Sequence, residues 1–116
     1  MPYDLIDKII ENKKAEKEAK RQQTLFKLME ILPILAVKYG FSKVYIFGSV
    51  AKKGKFRDES DIDIAVFDLK DENFFQLMGE VSNLIGREVD LYQMEKINGF
   101  LKKRIEETGL LWTQEG

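Results

Sequence analysis

The chain has no cysteine and no histidine among its 116 residues. Without cysteine there is no disulfide and no thiolate zinc site, which is compatible with the cytosol. Without histidine the commonest general base and the commonest transition-metal ligand are both gone. A bound metal would then be held by oxygen, which suits magnesium or manganese, and a base would be a carboxylate, a lysine or a tyrosine. An excess of charge is also missing: 19 Lys and Arg stand against 20 Asp and Glu, a formal net charge of −1. No direct nucleic-acid binding is expected from that balance. Long apolar runs are absent, and Met1-Pro2-Tyr3-Asp4 leads into a segment broken by charges. Neither a membrane span nor a signal peptide is expected.

What is present suits one small domain with a single core: 44% hydrophobic and 34% charged residues. Its centre is VYIFGSVAKKGKFRDESDIDIAVF, Val44 to Phe67. Val44 to Phe47 reads as an apolar strand, followed by Gly48-Ser49, a basic segment, and a second strand that opens with Asp61 and Asp63. The side-chain period of a strand is two, so these aspartates share one face while Ile62, Ile64 and Val66 take the other, core-facing one. Two unit charges about 4 Å apart repel by roughly 4 kcal/mol at an effective dielectric of about 20. A divalent metal between them is the obvious remedy.

Asp4 to Leu32 reads as helical in three pieces. Leu5, Ile6, Ile9 and Ile10 form an apolar tip; Glu11 to Gln23 is a solvated, mixed-charge stretch; Thr24 caps a fresh helix bearing Leu25, Leu28, Met29, Leu32 and Leu35. Pro33 kinks that helix or begins its last stretch, and Gly40 ends it. Asp71 to Asn73 starts another helix, with Phe74, Leu77, Met78, Val81, Leu84 and Ile85 at helical spacing, closed by Gly86. Glu88 to Tyr92 is a third strand whose alternation puts Asp90 on the non-core face. Ile97, Leu101 and Ile105 mark a last helix, and Leu110, Leu111 and Trp112 return to the core as a short strand. The one candidate boundary separates an arm, residues 1–23, from a domain, residues 24–116.

Each candidate site residue has a plainer alternative. Gly48-Ser49 after a strand can hold a phosphate on free N–H groups and a hydroxyl, or simply be a turn with an N-cap. Asp61 and Asp63 can be metal ligands or a wet strand face. Together with Asp90 they make three same-face carboxylates on two strands, the set that metal-assisted phosphoryl transfer requires, and Asp90 could also take a proton from an incoming hydroxyl. Lys52, Lys53, Lys55 and Arg57 can hold a triphosphate or merely be solvated. Tyr45 and Tyr92 can stack on a base or pack on the sheet.

Gly48-Ser49, ten intervening residues, then Ser60-Asp61-Ile62-Asp63-Ile64 resembles the signature of the polymerase-β-like nucleotidyltransferases, and more narrowly the minimal nucleotidyltransferases. The likeness runs from about Thr24 to Trp112 and puts that family's third acid on Asp90. It implies an α/β (α+β) fold, a small mixed sheet flanked by helices, with the N-terminal helical arm as an addition. It implies magnesium-dependent transfer of a nucleoside monophosphate, most often AMP from ATP, with Asp61, Asp63 and Asp90 as catalytic and metal residues. Gly48, Ser49, Lys52 and Lys53 would be the nucleotide-binding residues. Many such proteins are antitoxins that add AMP to a tyrosine hydroxyl of a HEPN-domain toxin. The alternatives are an antitoxin that only covers its toxin, and an antibiotic-type transferase without its acceptor domain. The family's usual Ala-Arg-Gly stands here as Ala51-Lys52-Lys53-Gly54, one residue longer and without the two-pronged arginine. The arm has no counterpart in the family pattern and is a candidate for partner binding or self-association.

Overall fold

The computed structural model describes residues 2–114, with side chains from Asp4; Met1, Glu115 and Gly116, at the outer limits of the arm and the domain, lie outside the described residues. Four strands, β1 (Lys43–Phe47), β2 (Ile62–Val66), β3 (Val89–Gln93) and β4 (Leu110–Thr113), form one mixed sheet in the order β3-β2-β1-β4. β1 is antiparallel to β2 and β4, whereas β2 and β3 are parallel. A parallel pair needs a long crossover, and α2 (Phe74–Ile85) supplies it.

Strand alternation sorts the side chains as the sequence implies. Val44, Ile46, Ile62, Ile64, Val66, Val89 and Leu91 are all buried on one face. Leu28, Leu32, Leu35 and Ala36 of α1 (Pro2–Tyr39) cover them, as do Leu77 and Val81 of α2. Each such aliphatic side chain contributes about 1.5–3 kcal/mol on burial, so this double layer carries the stability of the fold. The other face is only partly covered. There Ile105 of α3 (Gly99–Thr108) joins Ala65 and Met94, ringed by Tyr45, Phe47, Phe67, Tyr92 and Ile97. Among the described residues, no helix is long and apolar enough to cross a membrane.

The N-terminal region departs from the expectation of three helical pieces. α1 is one helix of 38 residues, running through both Thr24 and Pro33. Thr24 does not cap; its Oγ1 donates to the Lys20 carbonyl at 2.8 Å, a bond that fits inside a helix. Pro33 interrupts the ladder at a cost of about 3 kcal/mol. It is exposed, while Leu28 and Leu32 before it and Leu35 and Ala36 after it are fixed against the sheet, so packing holds both halves in line. Gly40 then ends the helix at φ +82°, donating its amide to the Ala36 carbonyl at 2.8 Å. The division at residue 23 thus falls inside a continuous rod. That rod accounts for the longest dimension, 59 Å, and for a radius of gyration of 16.3 Å against about 13 Å for a compact chain of this length.

The C-terminal expectation holds only in part. β4 forms and pairs with β1, and Trp112 meets Phe41 edge-on at 6.3 Å. Leu110 and Leu111 do not reach the core: they are 38% and 52% exposed on an edge strand.

Candidate active site

The last residues of β1 and the first residues of β2 and β3 meet at one end of the sheet. Register sets Phe47 opposite Asp63, and Asp63 opposite Asp90. Residues in register share a face, and neighbouring strands lie about 4.8 Å apart. Both carboxylates therefore stand side by side on the face away from the main core. Asp61 sits just before β2 at the exposed rim, two residues from Asp63 and on the same side by alternation.

Asp63 is the half-buried member of the set. Burial pushes its carboxyl up to about 6; the charge of Asp90, a hydrogen bond with Asp90, and the charge of Asp61 add to the rise. Tyr92, on the same face of β3, has its phenol pushed up by burial and by the charges of Asp63 and Asp90. Its ring lies 5.4 Å from that of Phe47, and Tyr45 lies 5.9 Å from Phe67. Both tyrosines therefore serve the packing of this face, with Tyr92 at the acidic end.

The strand-to-turn junction explains Gly48. Its φ is +76°, and a Cβ there would overlap the Asp63 carboxylate. The close approach that the glycine permits is to an acid of the same chain. Ser49 follows, half-buried, in a single 3-10 turn, Gly48–Ala51, and its carbonyl accepts the Lys52 amide at 3.1 Å. Lys52 is half-buried at the end of this turn. Lys53 is exposed and lines a separate cleft against α1, near Glu18. The structure thus gathers Gly48, Asp63 and Asp90, with Asp61 at the rim and Ser49 in the adjoining turn, and sets Lys53 apart.

The acids share a face rather than an enclosed pocket. Five clefts of the described surface lie beside α1, on α3 and around α2, and the three aspartates line none of these five. Among the described residues no three acidic side chains close into a ready-made metal cage. The set is open, with oxygen donors on one wall.

Two arginines support this wall, and the sequence reading missed both. Arg87, just before β3, directs Nη1 at the carbonyls of Arg57, Asp58 and Ser60 at 3.0, 3.0 and 3.1 Å. Its guanidinium lies 4.2 Å from the ring centre of Phe56. It therefore pins the connection that delivers Asp61. No local pattern marks such a role. Arg21, nearly buried in α1, donates to the Val50 carbonyl at 3.1 Å and pairs with Glu18 at 2.8 Å. A signal for it existed: it stands seven residues before Leu28, on the helix stripe that faces the sheet.

The polymerase beta nucleotidyltransferase family matches residues 29–115. A protein of Methanocaldococcus jannaschii named as a protein adenylyltransferase is 35% identical over 79 residues, 66% of this chain and 83% of its own length. A minimal nucleotidyltransferase of known structure superposes with a TM-score of 0.58 at 23% identity, covering 84% of this chain and 93% of that one. A crystal structure of a toxin–antitoxin with AMP-PNP gives 0.57 at 23% identity, covering 80% and 73%. At these identities the two structural likenesses carry the fold alone.

Proposed function

The chain belongs to the polymerase beta nucleotidyltransferase family, and from that premise we propose that it transfers AMP from ATP to a hydroxyl of a partner protein, a HEPN-type toxin, and so acts as an antitoxin. The observation that carries the site assignment is the register of Asp63 against Asp90 beside the glycine turn. The name of the M. jannaschii relative and the toxin–antitoxin neighbour support the choice of substrate and partner.

An oxygen-only donor set whose members repel one another fits a hard divalent cation. Asp61, Asp63 and Asp90 would hold magnesium or manganese, which when bound offsets the charge of the phosphates and of the transition state. The Gly48–Ala51 turn, through its free amides, the Ser49 hydroxyl and Lys52, would cradle the triphosphate. Asp90, exposed beside Asp63, would accept the acceptor's proton. The hydroxyl oxygen bonds to the α-phosphorus as the α–β bridging bond breaks and pyrophosphate leaves. A one-walled site supports a macromolecular acceptor, since such a partner can supply the second wall.

The test is label transfer from α-labelled ATP to a HEPN-type toxin supplied as acceptor. The double substitution Asp61→Asn/Asp63→Asn should abolish transfer while the protein stays folded. Persistent transfer by the double variant would sink the assignment. A second reading, neutralisation by occlusion alone, is favoured by the exposed tip Leu5, Ile6, Ile9 and Ile10. It predicts that the double variant still protects against the toxin.

A further inference from the structure

A cleft of about 370 Å³ lies between α1 and the β1–β2 connection, lined by Lys14, Lys17, Glu18, Arg21, Lys53 and the loop residues Gly54 and Phe56. Lys14, Lys17 and Arg21 recur at i, i+3 and i+7, so one stripe of the helix faces the loop. Lys53 closes the cleft from the other side. Four cations thus face a single carboxylate, in a chain whose net charge is −1. Glu18 is committed to Arg21, accepting from both nitrogens of its fork, and to Gln22, which leaves the three lysines as surplus charge. Lys14, Lys17 and Lys53 have no ion-pair partner among the described residues.

We propose that this cleft is an oligophosphate-binding site, distinct from the acidic wall. Three surplus positive charges gathered from two separate elements suit a ligand that carries several negative charges on a few atoms. An oligophosphate has that charge density and is compact enough for the volume. A single-stranded nucleic acid is a poorer match, because it requires exposed rings for stacking. The one aromatic side chain here, Phe56, is 3% exposed and is covered by Arg87. Arg21 also links the cleft to the Gly48–Ala51 turn through the Val50 carbonyl. A ligand held by Lys53 and α1 therefore stiffens the candidate phosphate turn and the segment that follows it. The oligophosphate is either free, as pyrophosphate or tripolyphosphate, or the tail of a nucleotide.

The inference does not rest on adenylyl transfer, and its test separates the two. Calorimetric titration of the full chain with tripolyphosphate, at low salt and without divalent metal, should show saturable binding at one site. Lys14→Gln/Lys17→Gln should weaken it about tenfold or more, which is about 1.4 kcal/mol. Asp61→Asn/Asp63→Asn should leave it in place. Competition by metal-free ATP identifies a nucleotide tail as the ligand; no competition identifies free oligophosphate. Absence of binding, or binding that the lysine pair does not affect, overturns the proposal.

Discussion

Asp63 stands between Gly48 and Asp90 and holds its proton up to about pH 6, against 3.8 for an ordinary aspartate. In the unfolded chain the same carboxyl loses its proton near 4. Between about pH 4 and 6, then, the folded state binds more protons than the unfolded state, and the Asp63 contribution to stability falls as pH rises. Above 6 the penalty is complete. A shift of about two units corresponds to about 3 kcal/mol; with the side chain half open to water, about 1 kcal/mol is the realistic share. Asp63→Asn, free of metal, should therefore gain about 1 kcal/mol at pH 7 and almost nothing at pH 4 relative to the parent. Urea unfolding of both proteins at the two pH values measures it, and an equal gain at both would refute the electrostatic account. The pairing of Asp61 with Asp63 was legible in two residues of alternation. The role of Gly48 was only half legible, because the atom that approaches it belongs to a neighbouring strand.

At the scale of elements, the connection between β1 and β2 depends on side chains from elsewhere. Arg87 caps three of its carbonyls from the threshold of β3, and Arg21 caps Val50 from α1. Hydrogen bonds from a charged donor contribute about 1.5–3 kcal/mol. Arg87→Ala should cost about that much and should speed amide exchange at Ser60, whose N–H is bonded to the Arg57 carbonyl, more than in the core of β2. Uniform exchange across both regions would show that Arg87 does not hold the loop. Such contacts span about thirty residues of chain, and nothing near Arg87 in the sequence reports where its guanidinium goes. Helices and strands were more legible, since their signals are periodic and local: α2, α3 and all four strands stand within a few residues of their expected places. α1 was misread because cap and proline signals are weak local terms, and the packing of Leu28 to Ala36 outweighs them.

For the molecule as a whole, the question is where the arm ends and the domain begins. Side chains of residues 4–17 are exposed, whereas Lys20 and Arg21 already engage the body, through Asp58 at 2.7 Å and the Val50 carbonyl at 3.1 Å. Removing residues 1–12 should change stability by less than about 0.5 kcal/mol, as for surface changes generally. Removing residues 1–23 should cost about 1–3 kcal/mol, because Val50 loses the Arg21 donor. Thermal unfolding of the two truncations decides it, and equal stability would return the boundary to residue 23. The amino-acid order alone determined the succession of strands and later helices, the core faces of the strands and the three aspartates on the opposite face, because these follow from short-range periodicity. Tertiary structure alone decided that Asp63 meets Asp90 in register, that Gly48 is shaped by a carboxylate, and that cations of α1 confront Lys53 across a cleft. Those are contacts between distant segments, set by how the sheet pairs and where the long helix lies.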